Sequence, residues 1–384
     1  MLDILMNLAA YAIPFVIVLT MVVFFHELGH FVVGRLCGVK VDAFSLGFGP
    51  ELLAFNDRSG TRWRIAAIPL GGYVKFHGDA NGASVPDSDE FEAMPEEERR
   101  VTFQAQSVWK RAAIVFAGPF ASFLLAILIY TGLYATLGRA ILAPKVASVT
   151  EGGAGYAAGF KAGDVVLSIE GTPIDSFARL QEIVSVSAGK ALTVVVHRGD
   201  ADVTLLATPA WREVEGPLGK TRIGMLGLRA STDPADTHEE RYGPVVAFGL
   251  AIEETWGIVT RTFGYLGGLI SGRESADQLS GPIGIAEVSG HMAQAIDKVG
   301  VWPFFNLIAI LSASIGLLNL MPVPLLDGGH LVFYAIEAAR GQALNERTQE
   351  VAFRIGLAMV CSLMVFSTYN DLARLLRKFT GVGS

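Results

Sequence analysis

Four stretches of this chain are long and apolar enough to cross a lipid bilayer. They lie near 5–33, 111–137, 301–323 and 351–373, and a spanning helix needs about 20 predominantly apolar residues. The whole chain is 51% hydrophobic and 17% charged, which is too apolar for an ordinary soluble protein and too polar for one that lies entirely in lipid. The sequence therefore predicts a polytopic α-helical membrane protein, with about four transmembrane helices and a water-exposed part.

The segments between the predicted spans carry the signals of β-structure. Residues 62–76 have strand-like halves on either side of Pro69-Leu70-Gly71-Gly72, so we expect two short strands around a turn, forming a membrane-associated β-hairpin. Residues 144–210 alternate short apolar runs with glycines, which is typical of a small β-rich domain. The strands expected there cover 145–149, 164–169 and 192–196, and the expected helices cover 176–187 and, as an amphipathic or interfacial helix, 245–272.

The first apolar stretch contains the motif His26-Glu27-Leu28-Gly29-His30. Residues four apart lie on the same face of a helix, so both imidazoles can reach one metal ion. Glu27 is next to the first histidine, where a carboxylate can accept a proton from an attacking water. Because two histidines and a glutamate are costly to bury in a membrane, this placement favours a catalytic metal site over two solvated histidines at a helix end.

A catalytic zinc site needs a third protein ligand and an open position. The best candidate is Asp327 in Leu325-Leu326-Asp327-Gly328-Gly329-His330. The first and third spans cross in the same direction because one span separates them, so the histidine pair and Asp327 reach the same side of the membrane at a similar depth. Two alternatives stay open: Asp327 as a turn or N-cap residue before the next helix, and His330 as the third ligand.

The charge pattern argues against nucleic acid as a partner. The net charge is −7 and no basic tract stands out. The two cysteines, Cys37 and Cys361, form no CxxC pair, so the sequence contains neither a zinc ribbon nor a disulfide framework. We expect the lipid bilayer, and not nucleic acid, to be a partner of this chain.

The His26–His30 motif is followed, over nearly the whole chain, by further short motifs. They are Gly47-Phe48-Gly49-Pro50, the run 68–75, Ala117-Gly118-Pro119, the run 281–285 and the run 319–330. In this order the motifs resemble those of the site-2 proteases, which are intramembrane zinc metalloproteases of peptidase family M50. The resemblance is strongest to the bacterial regulator-of-sigma-E protease group.

The resemblance implies a role for each residue of the candidate site. His26, His30 and Asp327 are implied to bind Zn²⁺, and Glu27 is implied to be the catalytic base. A substrate helix must unwind before its carbonyls can be attacked, and the unwound backbone needs hydrogen-bond partners at membrane depth. Asn319 is expected to supply one, although a helix-capping or interhelical amide would explain it equally well, and the 62–76 hairpin is expected to supply a strand edge. The expected substrate-binding residues are Asn319, Pro322, Pro324, Gly71, Gly72 and Tyr73.

The resemblance also implies that 144–210 is a PDZ domain, because 157–166 is similar to the helix-turn-strand signature of that fold. The chain departs from the family pattern in two places. The best-known members of the group carry two tandem PDZ domains and this chain shows one. A mechanism that selects substrates with a pair of PDZ domains is therefore not expected here. Ser122 stands where family members often have Asn, and we do not expect this difference to touch catalysis.

These expectations divide the chain into four parts. Residues 1–140 hold the first two spans, the His-Glu motif and the cytoplasmic-side hairpin; 141–212 form the PDZ domain; 213–299 form a linker with the interfacial helix; and 300–384 hold the last two spans and the Leu-Asp-Gly motif. The implied location is the bacterial inner membrane, with the active site toward the cytoplasm and the PDZ domain in the periplasm. Basic residues support this only in part, because those flanking the first loop favour the cytoplasm and those at the C-terminus do not.

The implied activity is the cleavage of single-span transmembrane segments. The implied substrates are an anti-sigma factor already trimmed by an upstream site-1 protease, or remnant signal peptides. A catalytically silent, membrane-anchored PDZ binding protein is the alternative, which the intact His26, Glu27, His30 and Asp327 argue against. A zinc-dependent transporter fits less well, because no polar residues along the four spans suggest a path.

Overall fold

The computed structural model describes residues 2–79, 94–216, 219–231, 233, 236–272 and 280–380. The chain divides into two compact units. The helical unit comprises residues 1–130, 248–259 and 275–384, and the β-rich unit comprises residues 131–247 and 260–274.

Among the residues that the structure describes, four helices are long and apolar enough, by length and composition, to cross a membrane. This confirms the four predicted stretches, since each helix covers most or all of one of them. The helices are α1 (Leu2–Leu36), α3 (Val108–Thr136), α9 (Trp302–Asn319) and α11 (Glu346–Thr380). The third predicted stretch continues to residue 323, but α9 ends at Asn319 because Pro322 and Pro324 cannot continue a helix.

A bent two-stranded sheet follows α1 and packs against it. Its strands are β1 (Val41–Asn56) and β2 (Arg62–Phe76). The first half of β1 pairs along both of its edges, so that Ser45 lies opposite Arg64 on one side and Tyr73 on the other. The prediction that the two halves of 62–76 pair with each other is therefore wrong, because the first half of β1 lies between them.

Glycines produce the bends in this sheet. Gly47 has a φ of 88° and Gly71 a φ of 135°, a backbone region that other residues rarely adopt. A Cβ atom at Gly47 would also lie 2.7 Å from the carbonyl oxygen of Ile68, which is too close for any side chain. Beyond the bend at Gly71, residues 72–76 pair with the first half of β1 and form an edge of the sheet that packs toward α1.

Short helices complete the helical unit. They are α2 (Glu96–Arg99), α7 (Pro282–Gln294), α8 (Ile296–Val299) and α10 (Asp327–Arg340). Helix α7 packs along α1, where a Cβ atom at Gly290 would lie 2.1 Å from the ring of Tyr11. The buried carboxylate of Asp371 accepts hydrogen bonds from the backbone N–H groups of Gly281 and Gly284 at the start of α7. These contacts fix the first and last long helices to the same short helix.

The β-rich unit is built on an antiparallel sheet with the order β6–β5–β7–β8. These strands are β5 (Val165–Ile169), β6 (Thr172–Pro173), β7 (Leu192–Arg198) and β8 (Ala201–Ala207). Helix α5 (Phe177–Val186) packs its buried Leu180 and Val184 into the same apolar core. The Ser176 hydroxyl caps this helix by accepting a hydrogen bond from the Arg179 N–H at 3.2 Å. The predicted strands and helix of 144–210 are thus found close to their expected bounds.

Further pairs of strands extend this unit. They are β3 (Arg139–Leu142) with β12 (Thr237–Glu240), β4 (Val146–Val149) with β11 (Leu228–Ala230), and β9 (Ala210–Gly216) with β10 (Gly219–Met225). The remaining helices are α4 (Ala154–Ala157) and α6 (Pro244–Ile270), and α6 has residues in both units. The predicted helix over 245–272 is therefore found at nearly its expected bounds.

A buried ion pair ties β5 to β7 in the β-rich unit. The Arg198 guanidinium donates to both carboxylate oxygens of Asp164 at 2.7 Å, and Asp164 is fully buried. Burial alone would raise the pKa of this carboxyl group, but the hydrogen bonds from Arg198 outweigh it and hold the pKa below its ordinary range. The pair therefore contributes stability at neutral pH that is lost as the pH falls through the lowered pKa of Asp164.

An apolar groove of about 70 Å³ lies between α5 and residues 223–228. Its floor and walls are side chains of both elements. They include Phe177, Leu180, Val184, Ile223, Met225 and Leu228.

Candidate metal centre

Three side chains of the helical unit converge on one point. His26 and His30 lie one turn apart on α1, and their Nε2 atoms are 3.3 Å from each other. Oδ2 of Asp327, at the start of α10, lies 3.2 Å from Nε2 of His26 and 3.5 Å from Nε2 of His30. Within the part of the chain that the structure describes, these residues form the one cluster able to hold a metal ion, with all ligand atoms within 4.8 Å of one another.

The two imidazoles are oriented by α3. Nδ1 of His30 donates to the backbone carbonyl oxygen of Ile114 at 2.9 Å, and Nδ1 of His26 lies 3.0 Å from Oγ of Ser122. A histidine that is hydrogen-bonded through Nδ1 presents Nε2 as its metal ligand. Both rings therefore direct Nε2 toward Asp327.

The close approach of α1 to α3 depends on glycine. A Cβ atom at Gly118 would lie 2.1 Å from Nε2 of His30, and a Cβ atom at Gly29 would lie 2.2 Å from the carbonyl oxygen of Ala117. No side chain fits at either position, so the backbone of α3 itself forms the wall against which the His30 ring lies. This contact explains why a glycine stands at the centre of the Ala117-Gly118-Pro119 motif.

Asp327 reaches the histidines because the chain turns sharply between α9 and α10. Gly328 and Gly329 permit this turn, since a Cβ atom at either one would lie 2.3–2.4 Å from a backbone carbonyl oxygen of the turn. Leu325 has a φ of 91°, a conformation that costs a non-glycine residue about 1–3 kcal/mol. Such strain persists only where the surrounding packing imposes it, and here it lies two residues from the carboxylate that the turn positions.

The geometry of the cluster fits zinc. Zinc bonds of about 2.0–2.2 Å in a tetrahedron place neighbouring ligand atoms roughly 3.3–3.6 Å apart, and the separations here are 3.2, 3.3 and 3.5 Å. Oδ2 of Asp327 is buried and accepts no hydrogen bond of normal geometry from the described residues, which is the state of an oxygen available to a metal. Three protein ligands leave one tetrahedral position open for chemistry.

Asp327 is suited to be the anionic ligand. Burial alone would raise the pKa of its carboxyl group, but the two facing imidazoles outweigh this effect and hold the pKa below its ordinary range. The carboxylate is therefore ionised at neutral pH.

A cavity of about 290 Å³ opens beside the three ligands. Glu27 lines it next to His26, and Nδ2 of Asn319 lies 3.3 Å from Nε2 of His26. The sheet forms the opposite wall, where the backbone of Gly72 packs so closely that a Cβ atom would lie 3.3 Å from Cγ of Glu27. The predicted site residues that line this cavity are His26, Glu27, His30, Asp327, Asn319, Gly71, Gly72 and Tyr73.

The other predicted residues lie nearby with different surroundings. Pro322 and Pro324 belong to the turn between α9 and α10 and are absent from the residues that line the cavity. Pro324 packs against α11, where a Cβ atom at Gly356 would lie 1.8 Å from its carbonyl oxygen. His330 lines the cavity, but its ring packs on Phe353 with a centroid distance of 5.2 Å, and it is not part of the ligand cluster.

Ser122, which is not expected to touch catalysis, lies against the candidate metal centre, because its hydroxyl contacts Nδ1 of His26. The spacing within 117–122 places Ser122 on α3, but no sequence pattern states which residue of α1 it faces. The role of the Ile114 carbonyl oxygen was missed for a stronger reason, since a backbone group leaves no trace in the residue type.

Comparisons with known proteins agree with this centre. The profile described as Peptidase family M50 matches residues 14–363. A protein of Agrobacterium fabrum named "Putative zinc metalloprotease Atu1380" is 47% identical over 370 residues, covering 96% of this chain and 97% of that protein. "Metalloprotease MmpA" of Caulobacter vibrioides is 40% identical over 376 residues, covering 93% of this chain and 94% of that protein. The range matched by the family profile includes both the His-Glu motif and Asp327.

Proposed function

The chain belongs to peptidase family M50, whose cofactor is zinc, and we propose that it is a site-2 protease of the regulator-of-sigma-E group. In this proposal it is an intramembrane metalloendopeptidase that cleaves single-span transmembrane segments. The observation that carries the proposal is the placement of the ligand cluster. His26 and His30 lie on a helix that is long and apolar enough to span a membrane, and Glu27 lines the same cavity.

His26, His30 and Asp327 would hold the zinc ion, which when bound would supply a Lewis acid for the scissile carbonyl and the attacking water. Glu27 accepts a proton from the attacking water and then donates it to the leaving amine, so that one carboxyl group serves as base and acid in turn. Its position next to His26, within the cavity, gives it access to the open side of the ligand cluster.

The substrate segment is proposed to bind as an extended strand. Residues 72–76 form a sheet edge, because the pairing of this run within the described structure is with β1 alone, and Gly71, Gly72 and Tyr73 line the cavity. An unwound substrate could add to this edge and satisfy its backbone by strand pairing. Asn319 would donate or accept one further hydrogen bond beside the scissile peptide. Pro322 and Pro324 would affect the substrate indirectly, because they shape the turn that places Asp327 at the cavity.

The β1–β2 sheet is proposed to lie at the membrane surface. Its bent ends expose apolar side chains that a water-facing sheet would not present. They are Phe48, Leu52, Leu53, Phe55, Ile65 and Ile68. Helix α6 is proposed as a second interfacial element, because Val245, Phe248, Ile252, Trp256 and Phe263 recur along one exposed stripe.

The β-rich unit is proposed to contain a PDZ domain in the periplasm, with the metal centre toward the cytoplasmic side of a bacterial inner membrane. Its support is the helix α5 packed on a small antiparallel sheet and the apolar groove between α5 and residues 223–228. The proposed substrates are single-span membrane proteins, such as an anti-sigma factor trimmed by an upstream site-1 protease, or remnant signal peptides. The proposed role of the domain is to reject substrates that still carry a large periplasmic part.

Asp327→Asn is expected to weaken zinc binding as well as proteolysis. The amide is neutral and is a poor replacement for the anionic oxygen that faces both histidines. Changes to groups that merely support a ligand cost about 10–100-fold in metal affinity, so loss of a ligand should cost at least as much. Metal analysis of the purified variant, together with cleavage of a single-span substrate in detergent, tests this role.

Full zinc occupancy in Asp327→Asn would exclude Asp327 as a ligand and would bring His330 back as the third one. The matched control is His330→Gln, which changes a cavity-lining residue outside the ligand cluster. It should keep its zinc.

Removal of the β-rich domain is expected to change which substrates are cut more than whether they are cut. Because β4 pairs with β11, the deletion should extend from 144 to 231, with a short glycine-serine linker that leaves β3 and β12 able to pair. The measurement compares cleavage of a full-length substrate and a pre-trimmed one by both enzymes. The filter predicts that the intact enzyme prefers the trimmed substrate and that the deletion variant cuts both; equal discrimination by the two enzymes would refute it.

A further inference from the structure

Ser122 contacts one of the candidate zinc ligands from a buried position on α3. Its Oγ atom lies 3.0 Å from Nδ1 of His26, and the residue is completely buried, with 0% exposure. We propose that Ser122 is a positioning residue: its hydroxyl accepts the Nδ1–H of His26 and thereby fixes the tautomer and ring orientation that point Nε2 at the metal. The inference rests on the proposed zinc site.

The two histidines are held by different kinds of acceptor. The Ile114 carbonyl oxygen can only accept a hydrogen bond, so Nδ1 of His30 must carry the proton. A serine hydroxyl can either accept or donate a hydrogen bond. It fixes the tautomer of His26 only when it donates its own proton to another group and accepts the Nδ1–H. The hydrogen bond that orients His30 therefore comes from the backbone and does not use the side chain of residue 114, whereas the one that orients His26 depends on the identity of residue 122.

Helix α9 packs closely against Ser122. Oγ of Ser312 donates to the backbone carbonyl oxygen of Ser122 at 2.8 Å, and a Cβ atom at Gly316 would lie 2.9 Å from Cβ of Ser122. His26 is itself buried, with 7% exposure. Removing the hydroxyl would thus leave a buried N–H group without a partner, which favours rotation of the imidazole or the other tautomer.

The decisive comparison uses two buried serines of the same helix contact. Ser122→Ala removes the hydroxyl that faces His26, and Ser312→Ala removes a buried hydroxyl, with its interhelical hydrogen bond, that touches no ligand. Zinc affinity is measured by competition with a chromophoric chelator in detergent. Ser122→Ala should weaken zinc binding about 10–100-fold, the usual effect of losing a group that orients a ligand, and Ser312→Ala should bind zinc like the wild type.

Ser122→Cys keeps nearly the same side-chain size, but its sulfur accepts a hydrogen bond only weakly, so its zinc affinity should also fall below that of the wild type. Wild-type affinity in Ser122→Ala, or an equal loss in Ser312→Ala, would overturn the positioning role and leave only a packing role. Failure of the wild-type protein to bind zinc would instead contradict the proposed zinc protease function. That result differs from any that contradicts the role of Ser122 alone.

A measurement on the unmodified protein makes the inference independent of any variant. In the zinc-loaded wild type with ¹⁵N-labelled histidine, NMR should show His26 with a protonated Nδ1 and a metal-bound Nε2. A metal-bound Nδ1 at His26 would overturn the proposal.

Discussion

Glu27→Gln is expected to lower proteolysis by about 10²–10⁴-fold, the usual contribution of a general acid–base group, while zinc remains bound. The amide has nearly the shape of the carboxylate but accepts no proton at neutral pH. The ligands His26, His30 and Asp327 are untouched, so the metal centre should stay assembled. This combination of lost turnover and retained metal separates a catalytic base from a ligand.

The measurement is the cleavage rate of a single-span substrate in detergent, with zinc determined on the same sample. Glu253→Gln is the matched control, because it removes one negative charge at an exposed position of α6. It should cleave at the wild-type rate. Wild-type cleavage by Glu27→Gln would exclude Glu27 as the base.

Gly118→Ala is expected to abolish stoichiometric zinc binding and, with it, proteolysis. The new methyl group would lie 2.1 Å from Nε2 of His30, the atom that faces the metal. Because the methyl group is fixed to the helix backbone, the imidazole must leave its position or the two helices must separate. Either change takes away one ligand, which is a larger effect than that expected for Ser122→Ala.

Gly132→Ala on the same helix is the matched control. A Cβ atom there would have nothing within 4 Å, and alanine is the better helix former by about 1 kcal/mol. The control should fold, bind zinc and cleave substrate like the wild type. Full zinc occupancy in Gly118→Ala would show that the contact between α3 and His30 is not as close as described.

Local sequence patterns predicted the parts of this protein that local physics determines. The four apolar helices follow from hydropathy alone, and the pairing of His26 with His30 follows from helical periodicity. Asp327 was predicted through topology, since an even number of crossings returns the chain to the same side. The serine that caps α5 and the strands of the β-rich unit also follow from residue type and spacing.

The parts that were missed depend on contacts between distant segments. The first half of β1 inserts between the two halves of β2, and nothing in 62–76 states that its partner is the earlier segment 41–46. Likewise, Ser122 and the Ile114 carbonyl oxygen support the histidines from a different helix. Gly118 belongs to a recognisable motif, but the need for glycine there comes from its short distance to His30, which only the packed structure shows.

If this chain uses zinc to cut a peptide bond inside a membrane-spanning segment, both the position of the cut and its dependence on zinc can be measured. The purified protein is reconstituted with a single-span substrate in liposomes, and the new termini are mapped by mass spectrometry before and after chelation and zinc replacement. We expect a cut within the apolar segment that stops on chelation, returns with zinc and is absent in Glu27→Gln. Cleavage confined to the water-exposed flanks, or cleavage that persists without zinc, would contradict it.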